Sequence, residues 1–435
     1  MNRVIDAFFA RLPPHQQPMD PSIHPRDSMF RWGLKQHRGY HEMAILDYFR
    51  SGLSAYRTAR EILDWRFGDA MPEQVLDFGS GFGRLIRFLV CDLPASRLWA
   101  AEIDPEAVEH QRQRYGVQGL RSTSDPVAFA PFNRLASGSF DALFAFSVLS
   151  HLPPERFESW LRAWIDLLAE GGVLAFSVFD EATLLPGRRM TGEGFHFEEM
   201  SESEDLDLKE YGTAYVTEAF VSRALAAAGG GRLSWHRFRR GLWHIQDLYV
   251  VLKGEAPQPL PLLELQGEPT GRLETCALEY GAQGEAVISL AGWAVGHGSR
   301  LSEVEVELAL GGEPVACVAP VERRPDVLEI FSPGSRSPLC GWAVRHRAPA
   351  DAVRPQDLLV VSARCLSSGV ESLLHLGSVE TTCLYIDLLR MWAKSDRYEA
   401  QAKALAGQVE IFERSGFGKL RRRWMGLKRR VGLDG

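Results

Sequence analysis

The sequence lacks any apolar run approaching the about eighteen residues that a membrane helix requires. Met1–Ala10 holds one arginine and a short apolar patch, without the long apolar core and small-residue cleavage site of an export signal, so a cytoplasmic chain is expected. Cysteine is scarce and scattered: Cys91, Cys276, Cys317, Cys340, Cys365 and Cys383 form no Cys-x-x-Cys pair, and no histidine cluster flanks them. That spacing gives no zinc or thioredoxin-like motif and leaves small buried thiols in a reducing compartment. Nor is there tight His and carboxylate spacing elsewhere, and no metal is expected. Positive charge is not in excess: 49 Lys and Arg stand against 56 Asp and Glu, for a formal charge of −7. That balance argues against a generic nucleic-acid binder, whose domains tend to be basic, with one local exception at the C-terminus.

What is present is ordinary globular material, 45% hydrophobic and 24% charged over 435 residues. At about 100–200 residues per domain this allows two or three. Residues 1–73 read as a helical cap after a Pro-rich start, with Ala44, Ile45, Leu46, Tyr48 and Phe49 at helical spacing. Over residues 74–254 short apolar runs (Val75–Phe78, Leu98–Ile103, Ala142–Phe146, Val173–Val178, Leu233–Phe238, Leu248–Leu252) alternate with amphipathic stretches (Arg84–Cys91, Pro105–Tyr115, Pro154–Ala169, Thr217–Ala228). Such alternation predicts an α/β domain with a doubly wound, mostly parallel sheet, its final strand entering antiparallel. A proline-dense linker, 255–270, follows. Residues 271–380 change texture to short alternating runs broken by Gly, Pro, Ser and Asp, the pattern of an all-β sandwich. Gly-Trp-Ala-Val occurs twice, at Gly292–Val295 and Gly341–Val344, too few copies to establish a repeat. Residues 381–435 read as a C-terminal helix ending in a basic stretch with Phe417, Leu420, Trp424 and Met425 interleaved.

The chemistry concentrates at Asp77-Phe78-Gly79-Ser80-Gly81-Phe82-Gly83-Arg84. A strand ends there, the chain turns on glycines, and a helix is expected from about Arg84, so that bare backbone and unpaired N–H groups meet a ligand. A dinucleotide fingerprint needs Gly-x-Gly-x-x-Gly. This loop has Gly-x-Gly-x-Gly, with an acid two positions before the first glycine. It resembles motif I of the class I S-adenosylmethionine-dependent methyltransferases. Leu98–Pro105 carries Glu102 at the end of a second strand, Gly138–Leu152 resembles motif IV, and Leu167–Phe176 resembles the helix, double glycine and fifth strand that follow. The resemblance covers roughly residues 45–253. It implies S-adenosyl-L-methionine as cofactor, with Asp77 orienting the ammonium, Glu102 taking the ribose hydroxyls and Asp104 capping the next helix. The cofactor set it implies is Asp77, Gly79, Ser80, Gly81, Gly83, Glu102, Ile103, Asp125 and Ser147, with Asp125 placed at the adenine.

Methyl transfer from a sulfonium is an in-line displacement in which alignment does most of the work, while a hydroxyl acceptor also needs a base. His151, at the end of the motif IV segment, is the expected catalytic residue; the alternative is that it only orients its loop. Tyr211 and His244 are the expected acceptor-binding residues, with Asp180 a further candidate, and the insertion Glu181–Tyr215 the expected pocket wall. Its acidic run Glu198–Asp207 reads as a solvated lid or as a bias toward a cationic or hydroxyl-rich acceptor. The β domain, through Gly292–Val295 and Arg324-Pro325-Asp326-Val327, resembles an accessory sandwich fused to some bacterial enzymes of polysaccharide and glycan assembly. It points the acceptor toward a sugar hydroxyl of a cell-surface polysaccharide or its precursor. A small-molecule acceptor and a non-catalytic cofactor-binding scaffold stay open as alternatives. The basic tail suits an anionic membrane surface at the inner face or docking to glycan-assembly proteins; a solvated end, an oligomer contact and nucleic acid are its other readings.

Overall fold

The computed structural model describes residues 3–17, 19–184, 187–201, 206–254, 260, 263–296, 304–327 and 339–414. The N-terminal region forms helices α1 (Arg3–Phe9), α2 (Ser28–Gln36) and α3 (His41–Phe67). Asp27 caps α2, accepting from the amides of Met29 and Phe30, and its other oxygen accepts from the Tyr48 hydroxyl at 2.8 Å. One long helix, α3, therefore fixes where the N-terminal strap begins to run.

The first domain threads β1 (Val75–Phe78), α4 (Ile86–Leu89), β2 (Leu98–Glu102), α5 (Pro105–Tyr115), β3 (Gln118–Arg121), α6 (Pro126–Phe132), β4 (Phe140–Ala145), α7 (Pro154–Leu167) and β5 (Leu168–Asp180). It then adds β6 (Phe195–Glu198), β7 (Thr213–Val216), α8 (Glu218–Gly229), β8 (Leu233–Leu242) and β9 (Gln246–Lys253). Strand order is β3-β2-β1-β4-β5-β9-β8. The first five are parallel; β9 enters antiparallel to β5, as expected, and pairs with β8 as a hairpin. Neighbours on one strand feed opposite cores: Val75 packs toward α3 with Phe144 and Phe88, and Leu76 packs toward α7 with Leu143 and Trp164. Order reverses between β1 and β4, the switch point where a doubly wound sheet opens a crevice at its carboxyl ends.

One expectation is corrected. The helix after the glycine loop is one turn, Ile86–Leu89, instead of Arg84–Cys91. Gly83 sits at φ +88°, which no helix admits, and turns fill the residues up to Leu85. The insertion contributes the ribbon β6–β7, and β7 pairs in parallel with the end of β5, Phe179 opposite Tyr215. The acidic residues 202–205 lie outside the described residues.

The second domain contains β10 (Thr270–Tyr280), β11 (Glu285–Val295), β12 (Val304–Leu310), β13 (Glu313–Val318), β14 (Glu322–Arg323), β15 (Leu339–Pro349), β16 (Leu358–Cys365) and β17 (Glu371–Ser378). They make two four-stranded antiparallel sheets, β10-β11-β15-β14 and β13-β12-β16-β17. The repeated tetrapeptide has a local cause. Gly292 lies opposite Trp342, and Trp293 opposite Gly341, on neighbouring antiparallel strands. Both glycines are kept bare by close neighbours: a Cβ at residue 292 would stand 3.0 Å from Trp342 Cζ2 and closer still to the Arg272 carbonyl, and a Cβ at residue 341 would meet Glu322 Cβ at 2.9 Å. Both indoles are buried, which settles Trp293 and Trp342 as core side chains and not sugar platforms. A final helix, α9 (Val379–Arg414), leaves the sandwich; the basic stretch 415–435 lies outside the described residues.

The two domains share α3. Arg50 donates to the Leu373 carbonyl at 3.1 Å, Arg57 donates to the Glu371 carbonyl at 2.9 Å and pairs with buried Glu268, and one continuous apolar core runs from Leu46 and Phe49 to Leu374 and Leu376. No helix among the described residues is long and apolar enough to cross a membrane.

Candidate active site

A cavity of about 360 Å³ opens at the carboxyl ends of β1, β2 and β4. Gly79, Gly81, Glu102, Ile103 and Ser147 line it. Gly79 (φ +73°) must stay bare, because a Cβ would meet Val148 Cγ2 at 2.6 Å. Gly81 (φ +56°) has nothing within 4 Å of its Cβ direction: it faces open space. Gly83 instead packs against Tyr115, and Ser80 is buried behind the loop, where Gln111 Nε2 donates to its hydroxyl at 2.8 Å. Those two residues shape the loop from beneath.

Both acids sit where the sequence put them. Glu102 accepts from the amides of Gly81 and Ile103 at 2.8 and 2.7 Å, so the second strand's carboxylate holds the loop and still borders the cavity; burial raises its carboxyl above the usual range. Asp77 is 4% exposed, and its Oδ2 has no hydrogen-bond partner among the described residues. Burial pushes the Asp77 carboxyl up to about 7, with the Arg84 charge opposing and Glu102 reinforcing. A buried, unpartnered carboxylate oxygen is costly unless a ligand supplies a donor, and the ammonium of an amino-acid moiety is such a donor.

His151 is buried, and its ring nitrogen Nδ1 lies 2.8 Å from the Gly212 carbonyl. A carbonyl only accepts, so Nδ1 carries the proton and Nε2 is the basic nitrogen. Nε2 faces the Ser147 hydroxyl at 3.3 Å, and the ring stacks on Tyr211 with centroids 4.7 Å apart. Ser147 adopts φ +59°, its amide donating to Ser177 Oγ at 2.7 Å; Gln246 Nε2 donates to Ser147 Oγ at 2.9 Å and Ser177 Oγ donates to Gln246 Oε1 at 2.6 Å. Ser147 and Tyr211 line the cavity, and His151 stands one layer behind them. His151, the expected catalytic residue, therefore borders the cavity through Ser147 and Tyr211.

Three other expected residues are directed elsewhere. Asp125 spends its carboxylate capping α6, accepting from the Val127 amide at 3.1 Å, while its neighbours Ser122, Thr123 and Ser124 line the cavity. His244 Nε2 lies 2.6 Å from the Glu268 carbonyl, in the contact between the domains and away from the cavity. Asp180, at the end of β5, is tied to Arg237 at 3.4 Å, and Arg237 donates to Asp247 at 2.6 Å, a buried ion cluster.

Sequence reasoning missed the strap that roofs the site. Ser28 and Met29 line the cavity although they lie about fifty residues before β1. His24 stacks flat on Phe82 of the glycine loop, at 4.1 Å, and Arg26 pairs with Asp104 and Glu106 at the start of α5. Beneath, the fully buried Arg87 donates to the carbonyls of Asp20 and Ser22. Arg156, Asp207 and Glu210 also line the cavity, with Arg156 and Glu210 paired at 3.3 Å. No group of three potential metal-ligating side chains is clustered among the described residues.

Fold and site together define a nucleotide-type crevice with an acid before a glycine loop and a second acid on the neighbouring strand. Residues 76–174 match the family described as a methyltransferase domain. The chain therefore contains a methyltransferase domain. Among curated proteins none matches it. Similar solved structures include the Burkholderia thailandensis 1,6-didemethyltoxoflavin N1-methyltransferase with bound S-adenosylhomocysteine, at 18% identity and TM-score 0.32, covering 55% of this chain and 95% of that one. An Archaeoglobus fulgidus S-adenosylmethionine-dependent methyltransferase aligns at 13% identity and TM-score 0.33, over 48% of this chain and 96% of that one. The plantazolicin methyltransferase aligns at 13% and 0.34, over 53% and 97%. None of these likenesses bears on the acceptor.

Proposed function

We propose that the chain methylates a hydroxyl of a sugar in a cell-surface polysaccharide or its precursor. The observation that carries this reading is the polar part of the cavity lining: Arg156, Asp207, Glu210 and Tyr211 supply donors and acceptors beside the apolar walls, suited to an acceptor that carries hydroxyls. The resemblance of the second domain to sandwiches of glycan-assembly enzymes supports the same acceptor class. When bound, S-adenosylmethionine supplies an electrophilic methyl on a sulfonium. Asp77 would hold its ammonium and Glu102 its ribose hydroxyls. Ser147 positions the acceptor hydroxyl and passes its proton to Nε2 of His151, whose Nδ1–H bond to Gly212 fixes the tautomer able to receive it. An anionic membrane surface, or glycan-assembly proteins, would be met by the basic C-terminal stretch.

Labelled methyl from S-adenosylmethionine, supplied with the protein to a host extract, tests the reading. Label recovered in the lipid-linked or polymeric glycan pool is expected. Label confined to low-mass metabolites discards the glycan acceptor, and label in nucleic acid or protein does the same.

A further inference from the structure

Among the described residues no cysteine lines the methyltransferase cavity, but two cysteines meet in the second domain. Cys276, in the middle of β10, and Cys383, in the second turn of α9, bring their Sγ atoms within 3.2 Å of each other. Both are free thiols, Cys276 buried and Cys383 half-buried. A disulfide needs an S–S separation of about 2.05 Å, so roughly an ångström of approach divides this pair from a bond.

The backbones on either side hold the pair in place. Cys276 stands opposite Leu290 in the β10–β11 ladder. The helix is fastened just before Cys383 by Thr382, whose hydroxyl lies 2.8 Å from Nε2 of buried His375. Just after it, the Tyr385 hydroxyl lies 2.6 Å from Nδ1 of His37. Two turns on, Arg390 donates to the Thr275 hydroxyl at 2.9 Å and to the Glu274 carbonyl at 3.2 Å, on the two residues that precede Cys276. Groups held face to face in this way react as if at very high local concentration.

The two sulfurs differ as a dithiol reaction requires. When one of them ionises, the proton that stays between them settles on Cys276, whose thiol is raised by that contact and by burial. The same contact holds the Cys383 thiol below its usual range, against burial and the Asp387 charge and with the help of the Leu278 amide. The thiolate is the nucleophile, so the more ionised sulfur is also the more accessible one.

We infer that Cys276 and Cys383 form a peroxide-responsive dithiol that closes to an intramolecular disulfide, stapling α9 to β10. The Cys383 thiolate attacks one oxygen of hydrogen peroxide. The O–O bond breaks, Cys383 becomes a sulfenic acid, and the departing hydroxide takes up a proton to become water. The Cys276 sulfur, giving up its proton, then attacks the Cys383 sulfur; the S–O bond breaks and a second water leaves. Two thiols are thereby oxidised by two electrons while one peroxide is reduced to two waters. A small oxidant suits the site because Cys276 is 3% exposed and Cys383 is the member of the pair that solvent reaches. The bridge closes a loop that runs from β10 through β17 into α9, so it restricts the unfolded chain of the whole second domain. The inference stands independently of the methyl acceptor.

The test uses the full-length protein, reduced and then exposed to hydrogen peroxide in slight excess. A linked peptide pair containing Cys276 and Cys383, lighter by about 2 Da than the two free peptides, is expected together with a rise of about 5–10 °C in the melting transition. Dithiothreitol should reverse both. Cys383→Ser should abolish both, while Cys317→Ser, which removes an exposed thiol on β13, should keep them. Cys276→Ala should stop the reaction at the Cys383 sulfenic acid, recovered as its adduct with dimedone. Both thiols remaining open to alkylation after a peroxide dose that oxidises Cys317, Cys383 passing to sulfinic acid beside an intact Cys276, or a bridge that forms without raising the melting transition overturns the proposal.

Discussion

The two domains treat polar groups and backbone strain differently. At the cofactor end of the first domain, non-glycine Ser147 is held at φ +59°, three glycines stand at positive φ, and Asp77 keeps a buried oxygen without a partner. In the second domain Gly292 makes room for the Trp342 indole on the neighbouring strand, and long antiparallel ladders join β10, β11 and β15. One region stores unmet demand that a ligand relieves; the other closes its own packing. Strain and unpaired charge persist only where the surroundings hold them and a function uses them.

The comparison breaks most completely at Gly81. Gly81→Arg fills the open space before the loop and is expected to lower affinity for S-adenosylhomocysteine by about a thousandfold or more by calorimetry, with the melting transition nearly unchanged. Next comes His151→Ala, expected to lower turnover on the acceptor pool by about 10²–10⁴-fold while cofactor affinity holds. Normal turnover would remove the relay through Ser147. On the other side of the comparison, Trp342→Ala opens a void opposite Gly292 and should cost about 3–5 kcal/mol in denaturant unfolding, leaving cofactor affinity of the folded protein intact. A parallel loss of affinity would show that the two domains do not divide their roles in this way.

The smallest effect is a pH dependence. Asp77 titrates near 7 in the ligand-free protein because burial disfavours its charge. The folded value is raised, so the folded state binds more protons than the unfolded one between about 4 and 7, and this residue's contribution to stability declines as pH rises through that window. Ligand binding runs the other way, since an ammonium needs the ionised form. Affinity for S-adenosylhomocysteine is expected to weaken about tenfold between pH ~8 and pH ~6, and Asp77→Asn should flatten that slope along with lowering affinity.

Local chemistry was legible in the sequence, and long-range contact was not. β1 and α5 fall on the residues that apolar runs and the Asp-Pro cap mark. The same Asp-Pro signal stands at Asp125-Pro126, and reading it as it was read at Asp104-Pro105 would have identified a second helix cap in place of an adenine ligand. His151 was found, but its position behind Ser147 depends on the Gly212 carbonyl, sixty residues away. Ser28 and Met29 reach the site only because Asp27 and Arg87 anchor the strap, and no periodicity carries that information. His244 looked chemical by type; its partner, the Glu268 carbonyl, arrives from beyond the linker.

Helix α3 has a consequence for how the molecule can be divided. Its inner side completes the first domain and its outer side supports β17, with Arg50 and Arg57 stitched to the β17 backbone. Severing the chain between residues 254 and 270 would therefore not release two free-standing pieces. A recombinant fragment ending near Lys253 would carry a bare apolar flank and is expected to be recovered as aggregate, whereas a protein nicked at the same place by protease should elute as one particle.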